Sequence, residues 1–182
     1  FLVGVVSYIR MAQFDTGLNR WTLPAVAGFL GALLSKSVGI TYLGVILWYE
    51  MCRSRFDVAN AARATYRTQR VFWLIGMGYL IGMNQLIAEA LFEYPVRGTT
   101  VQVLTQAKAL VYYVKLLFLP QSLNVEHQFF LAKSFFMPEV ALSLSFLVSL
   151  AVIGWYVRWR IGLLVFWVGW PVIVLLPTIL VP

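Results

Sequence analysis

Charge is what this sequence has least of. Only 12% of its 182 residues are charged, about half the share of an ordinary soluble domain. A water-facing surface cannot be assembled from so few. Acidic residues are scarcer than basic ones, 7 Asp and Glu against 14 Lys and Arg. No two aspartates are close in sequence, and Asp15 and Asp57 both fall in segments expected to be cytoplasmic loops. With 1 histidine and 1 cysteine, the chain cannot supply a His or Cys cluster, and a stable metal site normally needs three or four ligands. Cys52 cannot form an internal disulfide and is expected to be a free thiol beside a reducing compartment. A glycine-rich phosphate loop and a nucleophile elbow are also missing.

What is present is apolar: 61% hydrophobic and 16% aromatic residues. Several runs approach the roughly 20 residues that a helix needs to cross a bilayer. The expectation is an integral membrane protein, an all-α polytopic bundle of roughly five to six membrane helices plus one outer interfacial or re-entrant helix. Residues 1–9 read as the end of a helix. Residues 21–34 and 38–52 read as two short helices meeting near Lys36, with one kinked helix as the alternative. Residues 53–70 are a basic cytoplasmic segment, helical from its alanines. Spans follow at 71–91, 139–157 and 161–181, the last interrupted by Pro171 and Pro177. Gly76, Gly78 and Gly82 would permit close helix contact in the first of these. Repeats, low-complexity tracts and a soluble domain are not evident. Both ends lie in apolar runs and look cut from a longer protein.

The basic residues set the expected orientation. Arg53, Arg55, Arg63, Arg67 and Arg70, with Arg158 and Arg160, belong in the cytoplasm, against anionic headgroups rather than nucleic acid. The interval 92–138 then begins and ends on the outer side. The helix expected at 101–119 should therefore lie at the outer interface or dip in and return. At 100° per residue Thr105, Lys108, Tyr112 and Lys115 form one stripe, and Val103, Ala107, Leu110, Val114 and Leu117 the opposite one, an amphipathic interfacial pattern. Pro120 ends the helix, and residues 120–138 form an outer loop.

The polar residues left in this apolar chain are the candidates for chemistry. Lys108 and Lys115, two turns apart, suit a phosphate or pyrophosphate, or else snorkel to headgroups. Lys36 stands between apolar runs, where a charge is costly unless paired or hydrated; reaching water at a helix junction is its bland alternative. Glu126 and His127 suit acid–base or substrate contact, or a structural hydrogen bond. Asn84, Gln85 and Glu89 suit the same outer cavity, or helix packing.

Three stretches carry a resemblance: GFLGALLSKSVGITYLGVILWYEM, LTQAKALVYYVKLLFLPQSLNVEHQF and VFWVGWPVIVLLPTILVP. Their order resembles the membrane region of the tetratricopeptide-repeat O-mannosyltransferases and their bacterial relatives, of the GT-C class. The resemblance runs from about Ala27 to Pro182. It implies a polyprenyl- or dolichyl-phosphate sugar donor, a Ser or Thr hydroxyl acceptor and an active site open to the periplasm or lumen. By position, Lys36 matches the lysine of a Ser-Lys-Glu motif. Gln106, Pro120, Leu123, Asn124 and His127 match recurring positions of the later stretch, and Leu176-Pro177-Thr178 matches the closing Leu-Pro-Thr. Ser37 stands where that motif has Glu, and Thr41-Tyr42-Leu43 where Thr-Leu-Pro is common. The family's catalytic acids lie upstream of this chain, and its repeat domain does not follow.

The resulting expectation is a segment of a glycosyltransferase in the bacterial inner membrane, or in the endoplasmic reticulum of a eukaryote. Lys36, Lys108 and Lys115 would bind the donor phosphate, and Gln106, Glu126 and His127 the substrate. No catalytic residue, metal ligand or cofactor is assigned within the chain, and a divalent metal requirement stays open. Lipids, the lipid-linked donor and a protein acceptor or neighbouring subunits are the partners. A non-catalytic membrane subunit, anchored by its seven tryptophans, is the rival. A transporter or flippase fragment is a third reading, disfavoured because the clear spans lack paired ionisable residues.

Overall fold

A computed structural model describes residues 1–14, 19–89, 98–120, 131–132 and 134–180, and these are helical with no strand among them. The chain divides into two compact units: residues 1–87 with 157–177, and residues 88–156 with 178–182.

The first unit contains α1 (Leu2–Gln13), α2 (Thr22–Ser35), a 3-10 turn (Ser37–Ile40), α3 (Thr41–Arg53), α4 (Val58–Gly82) and most of α8 (Gly162–Leu180). Asn19 organises the entry to α2. Its amide donates to the Met11 carbonyl, its Oδ1 accepts from Trp21 N–H, and its own N–H donates to Thr22 Oγ1. α2 and α3 are separate helices because the backbone becomes extended at Lys36 (φ −159°, ψ 142°) before the 3-10 turn. Asp57 caps α4 by accepting from Ala59 N–H and Asn60 N–H at 3.0 and 3.2 Å, which satisfies two orphan donors of its first turn.

From that cap, α4 runs 25 residues without interruption. Residues 58–70 of the basic segment and residues 71–82 of the expected span are therefore one helix, while Arg53 closes α3. That helix stops at Gly82. Gly78 and Gly82 weaken its last turns, and after Met83 only the short α5 (Asn84–Ala88) follows. The end of the expected span falls outside the described residues.

Two mechanisms hold the first unit together. α1 and α2 approach backbone to backbone: a Cβ on Gly28 would lie 2.5 Å from Gly4 Cα. On α4 it is Gly76 that makes close contact, with Leu43 of α3; Gly78 and Gly82 face open space. Between the helices runs an aromatic column. Phe29 stacks on Tyr42 at 4.9 Å, Tyr42 on Phe72 at 5.9 Å, and Tyr8 meets Phe72 edge-on at 5.6 Å. Tyr49 extends it to Phe166 of α8 at 5.5 Å. Such ring pairs add directional attraction to the burial of their area.

The second unit contains α6 (Thr99–Phe118) and α7 (Pro138–Val157). Leu104, Ala132 and Val140 form its buried centre, with Met137 and Leu144 packed against them. α7 has 20 residues and a mean hydropathy of 2.1, and among the described helices it is the one long and apolar enough to cross a membrane. Two of its three serine hydroxyls donate within the helix, Ser143 to the Glu139 carbonyl and Ser149 to the Ser145 carbonyl, so these two need no outside partner. Thr22–Ser35 and Leu164–Pro177 are apolar but shorter.

Candidate functional site

The cationic candidates fall in both units. Lys36 is exposed at the helix break in the first. Lys108 and Lys115 lie on α6 in the second, separated by about 10 Å along the axis at 1.5 Å per residue. Gln106 is half-buried on the same helix. Glu126 and His127, like Leu123 and Asn124, lie outside the described residues.

The polar stripe of α6 does not behave as one face. Thr105 is buried: its hydroxyl donates to the Val101 carbonyl and accepts from Ala132 N–H at 3.1 Å. Lys108 is only 12% exposed and pairs with Glu139 at the start of α7. An acid in a first turn is favoured by the helix dipole, and Lys108 completes the charge balance there. At Thr105 and Lys108 the stripe therefore faces the chain around residues 132–139, while Lys115 is exposed. On the opposite stripe Ala107 is buried and Leu117 is exposed. Single-helix periodicity assumed one solvent; the return of the chain at Ala132 and Glu139 supplies polar partners on the side assigned to water.

A second polar cluster sits in the first unit and involves none of these candidates. Glu50 of α3, Tyr8 of α1, and Thr68 and Gln69 of α4 are all buried, with Glu50, Tyr8 and Gln69 completely so. Tyr8 donates its hydroxyl proton to Glu50 Oε1 at 2.8 Å and accepts from Gln69 Nε2 at 2.9 Å; its oxygen is also 3.0 Å from Thr68 Oγ1. Gln69 Nε2 also donates to the Ile46 carbonyl, and its Oε1 accepts from Trp73 Nε1. Arg53 pairs with Glu50 Oε2 across 3.4 Å, one helical turn on. A buried carboxylate is tolerable only with such partners.

This cluster joins three helices, but its carboxylate is closed to any external substrate. Its arrangement is that of a structural lock, not of a general base. The sequence signal for it was one acid among Trp48, Tyr49, Met51 and Cys52, a charge inside an apolar turn.

The basic segments do converge. The Arg158 guanidinium lies 5.7 Å over the Phe56 ring and 4.8 Å over Trp159, and Phe56 meets Trp159 edge-on at 6.3 Å. Gly162 packs on the Cys52 carbonyl. Arg53, Arg55, Arg158 and Arg160 are thus gathered at one end of the first unit.

Among the described residues no three His, Cys, Asp or Glu side chains come together as a metal site. Comparison of the chain with family models, with curated proteins and with solved structures found no match.

Proposed function

We propose that this chain is the membrane-embedded helical portion of a glycosyltransferase that moves a sugar from a polyprenyl-phosphate donor to a protein hydroxyl on the non-cytoplasmic side. The observation that carries the proposal is Lys36. It is an exposed cation at a break between two apolar helices, with no ion pair among the described residues. A charge so placed in a membrane is costly unless an anion or water meets it. Membrane embedding, which we propose with five to six spans, is supported by α7, long and apolar enough to cross, and by the shorter apolar helices at Thr22–Ser35 and Leu164–Pro177.

In this role Lys36 holds the donor phosphate and stabilises it as it leaves, an electrostatic contribution made where charge develops. Lys115, exposed on α6 of the second unit, is a further cation able to meet a lipid phosphate. Lys108 takes part only by sharing its ammonium with Glu139. Gln106, Glu126 and His127 orient sugar or phosphate by hydrogen bonds. Of the described acids, Glu50 is locked, Asp57 caps α4 and Glu139 holds Lys108, so none of these three is the base that deprotonates the acceptor.

The test is sugar transfer from a labelled polyprenyl-phosphate donor by the complete protein in membranes. Lys36→Ala should lower transfer about tenfold, the loss of about 1.4 kcal/mol of charge stabilisation, with Lys36→Arg partly restoring it. Transfer unchanged in Lys36→Ala would end the assignment.

The engaged state of Glu50, Asp57 and Glu139 also favours a second reading, a non-catalytic membrane subunit. It predicts a stoichiometric protein partner that stays bound in detergent, with no donor lipid.

A further inference from the structure

A groove of about 640 Å³ runs between α3 and α4, and its lining is almost entirely apolar. It exists because the two helices touch at Leu43–Gly76 and Ile46–Gln69, whereas toward the Arg53 end Ala61 and Ala62 are too short to fill the space beside Met51. Arg70 and Thr65 are among the lining residues, and the buried Thr65 hydroxyl oxygen has no hydrogen-bond partner among the described residues.

Arg70 does not act alone. At 100° per residue Arg63, Arg67 and Arg70 fall within a 60° stripe of α4, and all three are exposed. The stripe continues along the same helix as Leu74, Met77 and Ile81, exposed by 69%, 56% and 70%. A helix face that changes from arginine to bare hydrocarbon at one level matches a headgroup–acyl boundary.

We propose that this groove binds one anionic glycerophospholipid. Its phosphate sits on Arg70. A phosphate or ester oxygen accepts the Thr65 proton, and an acyl chain lies along Trp73, Leu74 and Met77. A free inorganic anion would leave the apolar lining uncovered, and an acidic peptide would bring charge along its length; a lipid has one anionic end and an apolar remainder. The inference rests on membrane embedding but not on sugar transfer.

The test uses the full chain purified in mild detergent and exposed to micelles containing equal phosphatidylglycerol and phosphatidylcholine, with retained lipid counted by native mass spectrometry. One phosphatidylglycerol should be held in several-fold preference. Arg70→Gln should abolish the preference, and Leu74→Asp, which sets a charge against the acyl chain from an exposed position, should abolish retention of both lipids. On the unmutated protein, phosphatidylglycerol with brominated chains should quench tryptophan fluorescence more than its phosphatidylcholine counterpart, and the difference should vanish in Trp73→Phe. Equal retention of both lipids, or quenching that does not involve Trp73, overturns the proposal. Protein released from membranes by alkaline carbonate overturns the embedding itself. Carbonate-resistant protein without lipid preference overturns the groove alone.

Discussion

The Tyr8 hydroxyl donates to Glu50 Oε1 across 2.8 Å, with both side chains completely buried and 42 positions apart in sequence. The same oxygen accepts from Gln69 and lies within hydrogen-bond distance of Thr68. One phenol therefore ties α1 to α3 and α4. Its removal leaves a buried carboxylate short of a donor and a buried amide short of an acceptor.

Tyr8→Phe keeps the ring packing against Tyr49 and Phe72 and deletes only the hydroxyl. It should cost about 2–3 kcal/mol, because an unsatisfied buried group forfeits its desolvation energy and the partner here is charged. The loss should be smaller in Glu50→Gln, whose amide oxygen still accepts from Tyr8. Thermal unfolding in detergent, followed by tryptophan fluorescence, orders the two variants. Equal stability of Tyr8→Phe and the unmutated protein would contradict the network.

The Gly4–Gly28 crossing predicts a contrast among glycines. Leucine at Gly4 or Gly28 would be driven into the opposing backbone, and overpacking of this kind costs about 1–3 kcal/mol or more. Alanine at Gly78 or Gly82, which face open space, should instead stabilise α4 by about 0.5–1 kcal/mol each through helix propensity. The sign of the shift in unfolding midpoint separates the two pairs.

α3 closes through a Schellman arrangement. Phe56 N–H donates to the Met51 carbonyl and Arg55 N–H to that of Cys52. The left-handed position that this motif commonly gives to glycine is held here by Arg55 at φ 51°, followed by Phe56 at φ 63°. Arg55→Gly should stabilise the protein by about 1 kcal/mol, the cost of holding a side chain in that region. A lowered midpoint in Arg55→Gly would show instead that the Arg55 side chain contributes more than its backbone costs.

Much of the helical order could be read from residue patterns. The stretch at Lys36 interrupts two apolar runs, and the chain breaks there. Asp57 stands before an alanine-containing helix, and it caps one. Pro120 follows α6, which ends at Phe118. These are local events, set by capping, ring geometry and short-range hydrophobic pattern. Glycine roles were not legible in the same way, because a glycine's packing depends on what lies opposite. Gly76, Gly78 and Gly82 look equivalent in sequence, yet one touches Leu43 and two touch nothing.

Composition by itself determined that this chain is apolar, and the length of its uninterrupted apolar runs that it is helical, since a helix satisfies its own backbone across such a run. Only the tertiary structure decided which polar groups are spoken for. Glu50 found Tyr8, and through it Gln69, across three helices, and Lys108 found Glu139 in the first turn of α7. Partners distant along the chain are chosen by helix packing, and no local periodicity encodes that choice.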